Sequence, residues 1–169
     1  DIIDAIALVT PRIAIIKAQI AMEKTLLCPL VLADIKAQID RVEQVFTELD
    51  SGLTGSAKLY LYHENFGASE TGTEAKSMQG GWVRDNWIDF NDGHLPTPWS
   101  LKSMGDLTPL VLHELTHVSS WTEDLSGDLN DAYILQGLMK TDFEYLTEYT
   151  YRVGISMRKH GLSSPYKSG

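Results

Sequence analysis

The stretch His113-Glu114-Leu115-Thr116-His117 has the residue types and spacing of a metal-dependent hydrolase. If it is helical, one turn separates the two histidines, so both imidazoles project from one face and can hold a single divalent ion. Glu114 lies one residue round the helix, where it can serve as general base towards a metal-activated water. Two imidazoles with an open position favour Zn2+, although other divalent ions accept the same ligands. The chemistry this trio implies is hydrolysis of a peptide bond.

The helix that must carry the motif is legible around it. Thr108-Pro109 reads as a helix start, with Thr as cap and Pro at the first helical position. No Gly or Pro interrupts Leu110 to Glu123, and Val111, Leu115 and Val118 recur at helical spacing to form a buried face. Upstream, residues 2 to 25 are rich in Ile and Ala at helical spacing, with Pro11 separating two helices or starting the second. Leu30 to Leu49 is a further helical pattern, striped by Leu32, Ile35, Ile39, Val42 and Phe46. Ala57 to His63 alternates like a strand, and Gly81 to Phe90 holds a second strand pattern around Trp87-Ile88-Asp89-Phe90. Residues 64 to 80 and His94 to Gly105 read as loops.

A catalytic zinc needs a third protein ligand, and it must come from later in the chain. The candidates are Asp124, Asp128, Asp131, Glu144 and Glu148. If a helix starts near Asp128, Asp131 shares a face with Ile134, Leu135 and Leu138. A carboxylate on an apolar stripe is costly unless something pairs with it, and a metal would. Glu144 fits a capping box, Thr141-Asp142-Phe143-Glu144. Glu148 lies opposite Phe143, Leu146, Val153 and Met157, four residues before Arg152, and reads as a solvated ion pair. Asp124 and Asp128 flank Ser126-Gly127 and look like turn or cap residues. Asp131 is the favoured ligand, with Asp128, Glu144 and Glu148 as alternatives.

Composition narrows the rest. At 169 residues and 43% hydrophobic, the chain is expected to form one globular domain, 1-169, with a real core. A net charge of -9 argues against nucleic acid and against an anionic membrane surface as partners. No apolar run reads as long enough to insert in a membrane. The single Cys28 excludes an internal disulfide and, among leucines, reads as a buried thiol. The chain opens on Asp1 with no signal-peptide pattern, which is read as a processed protein or a domain excised from a larger polypeptide.

The order of helices, small sheet and HExxH helix resembles the amino-terminal part of the zincin metallopeptidases. His113 to His117 is similar to the active helix of thermolysin-like peptidases, in which a Glu stands at the place of Asp131. Gly127, Asp131 and Tyr133 are similar to the Gly-rich turn, Asp ligand and Tyr of the aspzincins, the deuterolysin-like peptidases. Those leave two residues between Asp and Tyr, where here Ala132 alone intervenes. The resemblance covers about residues 82 to 133. It implies an α+β, zincin-like fold of helices with a small mixed sheet, and a zinc endopeptidase. His113, His117 and Asp131 would hold Zn2+, Glu114 would be the general base, and Tyr133 would stabilise the oxyanion, with His94 a second donor candidate. In zincins the last strand before the active helix is an edge strand that pairs with substrate. Trp87 to Phe90 sits in that place, and its composition fits a core strand as well. Secreted fungal aspzincins carry disulfides, so a bacterial toxin or effector domain, secreted or delivered by a secretion system, is the expected setting. Its partner would be a protein or peptide substrate. The alternative from another class is a non-catalytic zinc-binding interaction domain, for which an intact Glu114 has no use. A peptide deformylase would need a Cys ligand in a loop ahead of the helix, and Cys28 lies far upstream.

Overall fold

The computed structural model describes residues 2–27, 29, 33–70, 72–82, 86–93, 104–124 and 130–139. Cys28, His94, Asp128, Glu144 and Glu148 lie outside them. Helix α1 spans Ile2–Leu27 and α2 spans Ala33–Thr54. In α1 the residues Ala5, Val9, Ile13, Ile16 and Ile20 are buried, at spacings of three and four that put them on one face. Ile39, Val42, Val45, Phe46 and Leu49 form the matching face of α2. The two faces pack against each other and against α3, which spans Met104–Ser120.

Pro11 stands inside α1 and does not divide it. A proline in a helix interior removes one hydrogen bond and costs about 3 kcal/mol. Val9 and Ile13 are fully buried on either side of it, and each such side chain gains roughly 1.5–3 kcal/mol by leaving water. Continuity of the buried stripe therefore outweighs the break. The outer side of α1 is also apolar, with Ile3, Leu8, Ile15 and Met22 exposed. Ile2–Met22, with a mean hydropathy of 1.5, is long and apolar enough to cross a membrane by length and composition. The sequence reading that no run reaches that length is corrected on this point, since Pro11 does not end the helix.

The sheet has three strands: β1 Leu59–Glu64, β2 Ala75–Ser77 and β3 Asn86–Asn91. Their order is β1-β3-β2, with β1 parallel and β2 antiparallel to β3. The chain is thus α+β with a small mixed sheet. Strand β3 is central, not an edge. Its Ile88 and Phe90 are fully buried in the same cluster as Leu107, Val111, Leu112 and Leu115 of α3. The core-strand reading of Trp87 to Phe90 holds, and the edge strand next to α3 is β2, which lies within the stretch read from sequence as a loop. Three residues, Ala75-Lys76-Ser77, are too few to show alternation, so β2 left no periodic signal.

Helix α3 begins at Met104, before Thr108, so Pro109 falls within its second turn instead of opening it. After Ser120 the chain reverses. Trp121 has φ 54°, the left-handed conformation that commonly ends helices and that Gly normally supplies. Two bonds then tie the chain into a neck: Glu123 N–H donates to the Asn130 carbonyl (3.0 Å), and Ala132 N–H to the Glu123 carbonyl (2.9 Å). From α2, Arg41 donates to the Ser120 carbonyl and to Asn130 Oδ1. A short helix α4, Ala132–Leu135, leads directly into a 3₁₀ turn, Gln136–Met139, and both lie against α3.

Candidate metal centre

His113 and His117 face the neck from the last two turns of α3. Both are buried, at 4% and 6% exposure. Their Nε2 atoms are 3.2 Å apart, and Asp124 Oδ1 lies 3.0 Å from the first and 3.1 Å from the second. Among the described residues these three form the convergent group of possible metal ligands. Ligands about 2.0–2.1 Å from a zinc ion in tetrahedral array stand about 3.3 Å apart. The three donor atoms are therefore spaced as a tetrahedral ion requires, with small adjustment.

The other ring nitrogens settle which lone pairs converge. His117 Nδ1 lies 2.8 Å from the Thr122 carbonyl, an acceptor that has no hydrogen to give. The Thr122 hydroxyl, 3.0 Å from the same nitrogen, gives its hydrogen to Thr116 Oγ1, so a neutral ring carries its proton on Nδ1 and presents Nε2 as a lone pair. His113 Nδ1 is 3.0 Å from Gln136 Oε1, and the same logic applies. Thr122 supports the arrangement further, since its hydroxyl meets Thr116 Oγ1 at 2.8 Å and Thr116 Oγ1 donates to the His113 carbonyl. Two imidazole lone pairs and a carboxylate oxygen thus crowd one point, which only a proton or a metal cation can relieve. Burial and the neighbouring His117 hold the His113 pKa below its ordinary value, and this disfavours the proton.

Glu114 stands on the wall of the same cleft. It is buried at 4% exposure, and its Oε2 accepts a 2.7 Å hydrogen bond from Ser77 Oγ at the end of β2. Burial raises its pKa above the ordinary carboxylate range, and the Ser77 bond opposes that rise. Tyr133, on α4, places its ring 4.4 Å from that of His113. Burial raises its phenol pKa as well, so it keeps its proton at neutral pH. The cleft has a volume of about 420 Å³, and its lining includes Glu74, His113, Glu114, Asp124, Tyr133 and Gln136.

Four of the five residues singled out from sequence, His113, Glu114, His117 and Tyr133, thus meet in one place, and Asp131 is not among the three converging donors. It is buried next to the neck, and its Oδ1 accepts the backbone N–H of Tyr133 at 2.9 Å. Its own carbonyl takes the first bond of α4, from Leu135 N–H. Asp131 is the N-cap of α4. The expectation that a metal would compensate its burial assumed a helix from Asp128, whereas α4 starts at Ala132 and the backbone supplies the partner. Asp124 comes to stand beside the two histidines because the chain turns back at Trp121. The available sequence signal was its place seven residues after the second histidine, just past the end of the helix. Ser77, Thr122 and Gln136 carried no signal, because nothing local in the sequence brings them to α3.

A larger groove, about 1160 Å³, runs along α2 and the end of α3 and includes Arg41, Trp82 and Trp121. Among the described residues its lining holds no histidine, and the two clustered histidines stand at the smaller cleft instead. No family model matches this chain, and comparison with characterised proteins and with solved structures returns no similar one.

Proposed function

We propose that the chain is a zinc-dependent endopeptidase of zincin type, with His113, His117 and Asp124 as metal ligands and Glu114 as general base. The observation that carries this reading is the convergence of two imidazole lone pairs and one carboxylate oxygen within 3.2 Å, beside a buried glutamate whose pKa is raised. A zinc ion held there would act as a Lewis acid on a substrate carbonyl. Glu114 takes a proton from the attacking water as its oxygen bonds to the carbonyl carbon, then passes that proton to the amine nitrogen as the C–N bond breaks. The 2.7 Å bond from Ser77 holds the carboxylate in place on the cleft wall for both halves of that transfer. Tyr133, neutral and on the rim, donates a hydrogen bond to the developing oxyanion. Strand β2 is an edge of the sheet and runs into the cleft lining at Ala75, so an extended peptide laid beside it would pass Glu114.

The test uses the zinc-loaded protein and Glu114→Gln on a mixture of unfolded proteins, with and without chelator, counting new peptide termini by mass spectrometry. Termini should arise with the loaded wild type alone, and Glu114→Gln should bind zinc yet lose about 10²–10⁴-fold in rate. Zinc binding by a folded wild type that cuts nothing would replace this reading with a non-catalytic zinc-binding interaction domain.

A further inference from the structure

The two histidines owe their orientation to different parts of the chain. His117 Nδ1 meets Thr122, two residues beyond the end of α3 and on the same neck as Asp124, through both its carbonyl (2.8 Å) and its hydroxyl (3.0 Å). A substitution of Thr122 removes the hydroxyl contact and leaves the carbonyl in place. The acceptor for His113 is a side chain, Gln136, on the separate 3₁₀ turn that follows α4. The same segment carries Tyr133, whose ring lies against His113 three residues earlier. This segment is short, and its α-helical part is four residues, too few to be stable by itself.

We infer that Gln136 is a positioning residue that links metal occupancy to the seating of the α4–3₁₀ segment, and so to the placement of Tyr133 in the cleft. The inference rests on the zinc reading above. The chemistry runs both ways. An acceptor at Nδ1 holds His113 in the tautomer whose Nε2 lone pair faces Asp124, and it makes that lone pair more basic towards a cation. With a cation held at Nε2, the His113 ring would be polarised, and its Nδ1–H bond to Gln136 would strengthen and hold residues 132–139 more firmly against α3. Gln136 suits this task because its neutral amide can present Oε1 without adding a second negative charge beside Asp124.

The experiment titrates zinc alone into the wild type, Gln136→Ala and Gln136→Glu, and follows backbone hydrogen exchange over 132–139 with and without the ion. Gln136→Ala should bind zinc about 10–100-fold more weakly and lose the zinc-induced protection of 132–139 even at saturating ion. Gln136→Glu keeps an acceptor at Nδ1 and should restore both. A Gln136→Ala protein that binds as tightly as wild type, or gains the same protection, overturns the inference. So does a fall in the metal-free stability of Gln136→Ala and Gln136→Glu alike that accounts for the whole effect. If the folded wild type itself binds no zinc, the fault lies in the proposed function, and that outcome is distinct from the others.

Discussion

Two histidine–aspartate pairs in this molecule have nearly the same contact distance and opposite electrostatics. At the far end of the sheet, His63 Nδ1 lies 2.7 Å from Asp92 Oδ2, with the histidine side chain well exposed. The hydrogen bond and charge of Asp92 raise the His63 pKa above its ordinary value. In the cleft, His113 Nε2 lies 3.0 Å from Asp124 Oδ1, yet burial holds the His113 pKa down. Water decides the difference. An exposed imidazolium keeps its hydration and gains an anion, so the pair is an ordinary surface ion pair. A buried imidazole beside a second imidazole must give up hydration to be charged, so the neutral ring with a free Nε2 lone pair is favoured. A His–Asp distance alone therefore identifies neither a salt bridge nor a ligand set. Burial, and what occupies the other ring nitrogen, do.

The sharpest way to break the comparison is to remove one member of each pair and measure zinc binding. With zinc at about 100 times its Kd, the wild type should gain about 2.7 kcal/mol of stability. His113→Ala should gain none, and His63→Ala should gain as much as wild type. Thermal unfolding with and without the ion reads this directly. Equal gains in all three proteins would move the metal away from the HExxH face.

The next largest effect separates Asp124 from Asp131. Asp124→Asn removes the ligand charge and should weaken zinc by more than the roughly 10–100-fold that an outer partner contributes. Asp131→Asn leaves an oxygen to accept the Tyr133 N–H and should leave zinc affinity near that of wild type. The reverse order would restore the ligand that sequence favoured. The two aspartates also mark the limit of what was legible. His113, Glu114 and His117 lie within one helical turn, so local geometry alone fixes their relation, and the sequence showed it in full. The stripe Ile39–Val42–Phe46 of α2 was legible for the same reason, whereas the stripe of α1 reads as broken at Pro11, through which the helix in fact continues. The third ligand depends on where the chain turns after α3, and that depends on Trp121 adopting a left-handed conformation that nothing in its residue type announces. Strand β2 and Gln136 depend on contacts between distant segments, which no periodicity encodes.

Trp121 itself gives a smaller test of that turn. A left-handed backbone costs a residue with a Cβ about 1–2 kcal/mol, and Gly escapes this cost. The indole is 60% exposed, so its loss removes little packing. Trp121→Gly should change stability by less than about 1 kcal/mol, because relief of strain offsets the greater freedom of Gly in the unfolded chain. Trp121→Val keeps the strain and adds branching at Cβ, so it should be the less stable of the two and bind zinc more weakly, since Thr122 and Asp124 follow the turn. Denaturant unfolding and a zinc titration check both. A Val variant as good as the Gly variant would mean that the turn tolerates any residue and does not set the ligand geometry.

The smallest expected effect belongs to the exposed pair. Because the His63 pKa is raised in the folded protein, the pair adds stability that is fully present below the ordinary value of 6.5 and is lost as pH rises through the raised value. Asp92→Asn should abolish that dependence and return His63 to an ordinary titration, which NMR of the ring protons would follow. Zinc should leave the His63 titration unchanged in both proteins, since the pair lies outside the ligand group. A His63 signal that shifts on adding zinc would show that the ion is drawn to exposed His–Asp pairs as well, and the distinction drawn from burial would then fail at its weaker end first.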